Sequence, residues 1–139
     1  MSLAPRSIGV VSKEIGVSVH TLRYYEKIGL LARIAKDTGG RRRYETRDVE
    51  RIRFIRRAQR MHFSLDEIGQ LIEIEQAPSM TKPQAQKLVQ EKLGEIDQSL
   101  VDLMQLKVDL STMLAACLQS SDDEDCPIIE SIKEDQGKR

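Results

Sequence analysis

The chain has 139 residues, 40% hydrophobic and 32% charged, with three Tyr, two Phe and no Trp. That length suits one small domain with an appendage and argues against two full cores, while few aromatics amid many Leu, Glu, Lys and Gln favour helix over sheet. The formal net charge of zero conceals a division: Met1 to Arg60 holds 15 Lys+Arg against 6 Asp+Glu, and the remainder holds 7 against 16. The basic half is expected to meet a polyanion, and the acidic half needs another task. No apolar run approaches the roughly 18 residues of a membrane span and no signal-peptide pattern opens the chain, so a cytoplasmic protein with no membrane partner is expected. In that compartment two cysteines point to metal binding or thiol chemistry rather than a structural disulfide.

From Ser7 a short apolar-periodic segment ends at Gly16, which suits a left-handed position just past a helix. Ser18 offers an N-cap for a second helix carrying Leu22, Tyr25 and Ile28 and closed by Gly29. Two helices across a tight turn make a helix-turn-helix candidate. Between Ala32 and Tyr44, the pair Gly39-Gly40 permits a hairpin turn with strands on both sides, a small β wing. Thr46 is expected to cap a helix with Val49, Ile52, Phe54, Ile55 and Ala58 on or near its inner face. Ser64-Leu65-Asp66-Glu67 has the capping-box spacing for another helix running to about Glu75. Pro78 and Pro83 mark the next boundary.

Gln84 to Ala116 contains no proline, and steps of four and three residues pick out Val89, Leu93, Ile96, Leu100, Leu103, Lys107, Leu110 and Leu114. All but Lys107 are apolar. A helix of this length extends roughly 50 Å, too far for a small domain to cover, so the seam needs a partner helix and a homodimer is the economical answer. The expected division is residues 1–76 as a DNA-binding unit with connecting helices, 77–116 as the dimerisation helix, and 117–139 as a sensing loop, short helix and tail.

A recognition helix must turn short or forked polar side chains toward base edges and cations toward phosphates, and Thr21, Arg23 and Tyr24 can do this. Arg41, Arg42 and Arg43 at a wing tip would repel one another unless phosphates lay beside them, so they are assigned together to the DNA backbone, with Arg33 as a further contact. Arg51, Arg53, Arg56, Arg57 and Arg60 read instead as a solvated helix face. The stretch from Val17 to Leu30, VSVHTLRYYEKIGL, resembles the recognition-helix signature of the MerR family of regulators. Arg41-Arg42-Arg43-Tyr44 with Asp48-Val49 is similar to that family's wing end, and Ala58 to Ile68, AQRMHFSLDEI, to the segment joining its DNA-binding domain to its dimerisation helix. The resemblance implies DNA contacts for Arg23 and Tyr24, and Tyr44, beside the wing arginines, is counted in the same interface. Arg41 stands where many members have tyrosine, and His62 where the family usually has glycine. No metal role is expected for His20 or His62.

Cys117 and Cys126 are separated by Leu118-Gln119-Ser120-Ser121-Asp122-Asp123-Glu124-Asp125. Pro127 suits the first position of a short helix, which places Cys126 at its N-cap, where backbone N–H groups favour a thiolate. The pair resembles the loop of metal-responsive MerR members. Relatives that sense Hg(II), Zn(II), Cd(II) or Pb(II) generally add a third cysteine from the other subunit's long helix, and monovalent-ion sensors have serine there. Lys82 holds that place here. Two thiolates around a +1 ion leave net −1, which the Lys82 ammonium could neutralise, so a soft metal ion of the Cu(I)/Ag(I)/Au(I) type is favoured over Hg(II), Zn(II), Cd(II) or Pb(II). Oxygen ligands from Asp122, Asp123, Glu124 and Asp125, or thiol and electrophile sensing, stay open as alternatives.

No phosphate-cradling glycine loop or nucleophile–base set is present, so an enzyme is not expected. A coiled-coil adaptor that does not bind DNA is a rival, but it leaves the basic half unexplained. The fold class expected is mainly α: a winged helix-turn-helix with a small β wing, followed by a long antiparallel coiled-coil dimerisation helix. The resemblance implies that the dimer binds a palindromic operator in promoter DNA between the two RNA polymerase hexamers. Effector binding would then bend and untwist an overlong spacer.

Overall fold

The computed structural model describes residues 4–77, 79 and 81–135. Pro78 and Met80 lie outside the described residues, as does the tail beyond residue 135. Eight elements follow in order: β1 (Arg6–Ser7), α1 (Ile8–Ile15), α2 (Val19–Lys27), β2 (Arg43–Tyr44), α3 (Thr46–Arg60), α4 (Leu65–Gln76), α5 (Thr81–Gln119) and α6 (Pro127–Asp135). They form two compact units, one ending at Lys92 and the other beginning at Leu93.

Within the first unit, local chemistry sets the helix ends. The Ser7 hydroxyl accepts the Val10 N–H at 3.3 Å, and Gly16 at φ +78° closes α1 by donating its N–H to the Ser12 carbonyl. Ser18 caps α2 by accepting the Thr21 N–H at 3.0 Å. Ser64 and Glu67 form the expected capping box on α4, each side chain accepting the other's backbone N–H. Thr46 does not cap α3. It is the first helical residue, and the cap is Glu45, whose N–H donates to the Asp48 carboxylate at 2.8 Å. An acid three residues beyond Glu45 reaches back to the orphan N–H there, which moves the start of the helix one residue earlier than a threonine cap would place it.

The wing also departs from a simple hairpin. β2 pairs antiparallel with the N-terminal β1, Arg6 opposite Tyr44 and Ser7 opposite Arg43. The first arm of the wing meets the second at a single Lys36–Arg42 bridge, flanked by bonds from the Arg43 N–H to the Ala35 carbonyl and from the Asp37 N–H to the Arg41 carbonyl. Asp37 shapes the tip: its Oδ1 accepts the N–H groups of Gly39 and Arg41, while Gly40 turns the chain at φ +78°.

Val11, Leu22, Tyr25, Ile34, Tyr44, Ile52, Ile55 and Ile68 are fully buried, so α1, α2, the wing, α3 and α4 converge on one core. Leu22 and Tyr25 lie three apart on α2 and share its inner face. The Tyr25 hydroxyl donates to Gln59 Oε1 at 2.7 Å, which satisfies it inside the fold. The corner between α3 and α4 passes through His62 at φ +70°. That left-handed backbone is what a glycine would adopt without strain.

α5 begins before Pro83 rather than after it. Proline is tolerated in the first turn, where its missing N–H has no intrahelical acceptor. The 39 residues span roughly 58 Å at 1.5 Å per residue. Leu88 and Lys92 are buried in the first unit, where the Lys92 ammonium lies 3.0 Å from Glu67 and over the Phe63 ring. In the second unit Leu93, Ile96, Leu100, Leu103, Leu110 and Leu114 are all exposed in the single chain. Among the described residues no helix is long and apolar enough to cross a membrane.

Candidate nucleic-acid interface and sensing loop

With Leu22 and Tyr25 committed to the core, the opposite face of α2 presents Arg23 and Tyr24 to solvent, Tyr24 at 45% exposure. Thr21 is half-buried beside the cap, its hydroxyl 2.8 Å from that of Ser18. Arg33 and Arg41 are exposed on the wing. Arg23, Arg33 and Arg41 have no ion-pair partner among the described residues, so their charge is available to an external anion.

The other wing residues differ from expectation. Arg42 Nε donates to Glu26 Oε2 at 2.7 Å, and Arg43 Nε donates to Asp37 Oδ2 at 3.1 Å. Two of the three tip arginines are therefore engaged within the fold. Tyr44 is a core residue at 1% exposure, which corrects its placement in the DNA interface. β2 is only two residues long, and alternation along a strand sends Tyr44 inward when its neighbour lies at the surface. Its hydroxyl is buried without a hydrogen-bond partner among the described residues, and burial, then the Glu26 charge, pushes its ionisation upward.

The helix face read as solvated is more tightly tied than expected. Arg51 bonds Glu75 at 2.6 Å and lies over the Phe54 ring, joining α3 to α4. Arg53 and Arg6 both reach Glu14, which draws α3 and the N-terminal strand to α1. Sequence spacing missed these acids because Glu14, Glu26 and Glu75 lie 8 to 39 positions from their arginine partners. For Glu14 and Glu26 the visible hint was an acid in an otherwise basic segment, whereas Glu75 stands among other acids.

In the second unit, Cys117 is half-buried in the last turn of α5 and Cys126 is exposed just before α6. The Cys126 carbonyl accepts the Glu130 N–H, the first bond of α6. The N–H groups of Ile129 and Ile128 at the start of α6 lower its pKa, and the neighbouring Cys117 thiol acts in the same direction. Desolvation and the Cys126 sulfur raise that of Cys117. The loop thus brings two sulfurs together, with the thiolate favoured at the helix N-terminus. Asp122, Asp123, Glu124 and Asp125 are exposed, and no group of three or more His, Cys, Asp or Glu side chains comes together among the described residues. Lys82 is exposed in the first turn of α5.

The helix-turn-helix, its wing and the cationic face of α2 define a nucleic-acid-binding class of protein. Residues 6–74 match the family model described as MerR HTH family regulatory protein, and residues 49–113 match that described as MerR, DNA binding. The chain belongs to the MerR family. It is 38% identical over 127 residues to a mercuric resistance operon regulatory protein of Pseudomonas fluorescens, covering 91% of this chain and 87% of that one. It is 34% identical to the HTH-type transcriptional regulator HmrR of Rhizobium leguminosarum bv. viciae, covering 92% and 98%. Among solved structures, the transcription regulator PbrR691 from Ralstonia metallidurans CH34, in complex with lead(II), aligns with a TM-score of 0.76 and 29% identity, covering 91% of this chain and 98% of that one.

Proposed function

We propose that the chain acts as a homodimeric, cytoplasmic transcription regulator that binds palindromic promoter DNA and answers to a soft metal ion held by Cys117 and Cys126. The observation that carries the metal reading is the placing of two free cysteines at the two ends of one short loop, Cys117 in the last turn of α5 and Cys126 at the N-terminus of α6. Thiolate ligands select soft ions, and a thiolate already favoured by backbone N–H groups loses little on deprotonation. The metals named for relatives are mercury and lead. Those names do not support the expected preference for Cu(I), Ag(I) or Au(I), so the ion is proposed by class: soft and thiophilic.

Thr21, Arg23, Tyr24, Arg33 and Arg41 form the proposed DNA contact set, with Arg43 at the edge of the wing. Recognition would run mostly through DNA shape, the effector-bound dimer distorting the promoter spacer so that RNA polymerase engages both hexamers. Lys82 is the proposed compensating charge for a monovalent ion. An exposed cysteine whose pKa is lowered by backbone N–H groups is also what an electrophile would attack, and this is the second reading.

Titration of the purified dimer with Hg(II), Pb(II), Cu(I), Zn(II) and Cd(II), each followed by promoter transcription, tests the proposal. Binding of one soft ion per loop and a transcriptional response lost in Cys117→Ser/Cys126→Ser are expected. A normal response of that variant to every metal would overturn the cysteine site. A response to an electrophile alone would favour the second reading.

A further inference from the structure

Glu26 is out of place by electrostatics. It lies on the helix expected to face phosphates, where an unpaired carboxylate would repel the ligand, yet it is only 14% exposed and turned against the wing. Its two oxygens hold two different parts of that wing. Oε2 accepts Arg42 Nε at 2.7 Å, from the second arm, and Oε1 accepts the Ile34 N–H at 3.4 Å, from the first. Arg42 in turn is 28% exposed and stands opposite Lys36 where the two arms pair. The arms hold each other through two backbone bonds and the Asp37 carboxylate, and one carboxylate on the recognition helix ties both of them to α2. Arg41 lies one residue nearer the tip, exposed and unpaired among the described residues.

We propose that Glu26 and Arg42 are positioning residues, a latch fixing the wing to the recognition helix so that Arg41, and not Arg42, meets the phosphate backbone. This rests on the DNA-binding reading above. The latch sets the spacing between α2 and the wing before DNA arrives, so the ordering cost falls in folding rather than in binding. A side chain that neutralises Glu26 releases no counterion from DNA, whereas one that neutralises a phosphate does.

The test uses the full-length dimer and a promoter duplex obtained by selection with the wild-type protein, with binding followed by anisotropy over a range of salt. Glu26→Gln is nearly isosteric and removes a negative charge beside DNA. A merely solvated acid would therefore give tighter binding on substitution, while the latch requires binding weaker by about tenfold. Arg42→Met should weaken binding to a similar extent without changing the log–log salt slope. Arg41→Met should flatten that slope by about 0.9. The double variant Glu26→Gln/Arg42→Met should bind no more weakly than the worse single variant. Tighter binding by Glu26→Gln, or a slope lowered in Arg42→Met as in Arg41→Met, would overturn the latch.

Hydrogen exchange of the Ile34 amide gives a readout independent of DNA. It should quicken in Glu26→Leu, which removes the acceptor, while thermal melting shows the head folded. Unchanged exchange would sink the latch whatever the affinity does. Failure of the wild-type dimer to select any duplex, with Ile34 exchange quickened as expected, would instead count against the DNA-binding reading and, with it, the role given to Arg41.

Discussion

The head up to Lys92 and the helix beyond it contain apolar residues at similar helical spacing, yet they use them in opposite ways. In the head, Leu22, Ile52, Ile55 and Ile68 are fully buried, and long-range ion pairs such as Arg51–Glu75 and Arg53–Glu14 tie the elements together. Beyond Lys92, Leu100, Leu103, Leu110 and Leu114 lie exposed at 54%, 61%, 54% and 54%. Equivalent spacing therefore has two outcomes, according to whether the chain can fold back to cover it. A short helix beside others finds its cover within one chain, and a helix of roughly 58 Å must take it from another. The head is built to fold by itself, and the long helix is built to be shared.

The largest effect should come from a charge in the seam. Leu100→Asp is expected to convert the dimer to monomer in sedimentation at micromolar concentration, while hydrogen exchange in the head stays protected. Loss of protection in the head as well would break the distinction between the two regions. Operator affinity should fall with it, since one half-site no longer brings the second into reach, a loss on the order of 10² or more.

A core truncation should show the reverse pattern. Ile52→Ala removes a fully buried side chain and should cost about 2–5 kcal/mol of head stability by denaturant unfolding. At low denaturant the variant should still sediment as a dimer. Smaller again is Arg23→Ala on the exposed face of α2, expected to weaken operator binding by about 1–3 kcal/mol if the guanidinium reads a base. Its melting temperature should match the wild type, because no fold contact is lost. A melting temperature lowered along with affinity would turn Arg23 into a structural residue.

The smallest effect concerns the joint where α5 meets the head. The Ser64 N–H and the Lys92 ammonium hold the Glu67 carboxyl below its ordinary value. A depressed folded pKa contributes stability that is present above the ordinary glutamate pKa of about 4.5 and is lost as pH falls through the folded value. Glu67→Gln should therefore flatten the acid-side decline in melting temperature between roughly pH 5 and pH 3. An unchanged decline would mean the carboxylate contributes no acid sensitivity.

Much of this architecture was legible in residue order because local rules act over three or four positions. Ser7, Ser18, Gly16 and the Ser64–Glu67 box marked helix ends, the spacing of Leu22 and Tyr25 marked the inner face of α2, and the 33 proline-free residues from Gln84 to Ala116 marked the long helix. Pro127 likewise placed Cys126 at a helix start, where its sulfur meets backbone N–H groups. Tertiary structure decided what distant parts of the chain did with those elements. It paired β2 with Arg6–Ser7 as well as with the first arm of the wing, drew Tyr44 into the core, and turned Arg42 and Arg43 toward Glu26 and Asp37. A two-residue strand has no periodicity to read, and an arginine's sequence neighbours do not reveal whether its charge will meet a phosphate or a carboxylate. The geometry of the fold makes that choice, by bringing Glu26 to Arg42 from 16 residues away.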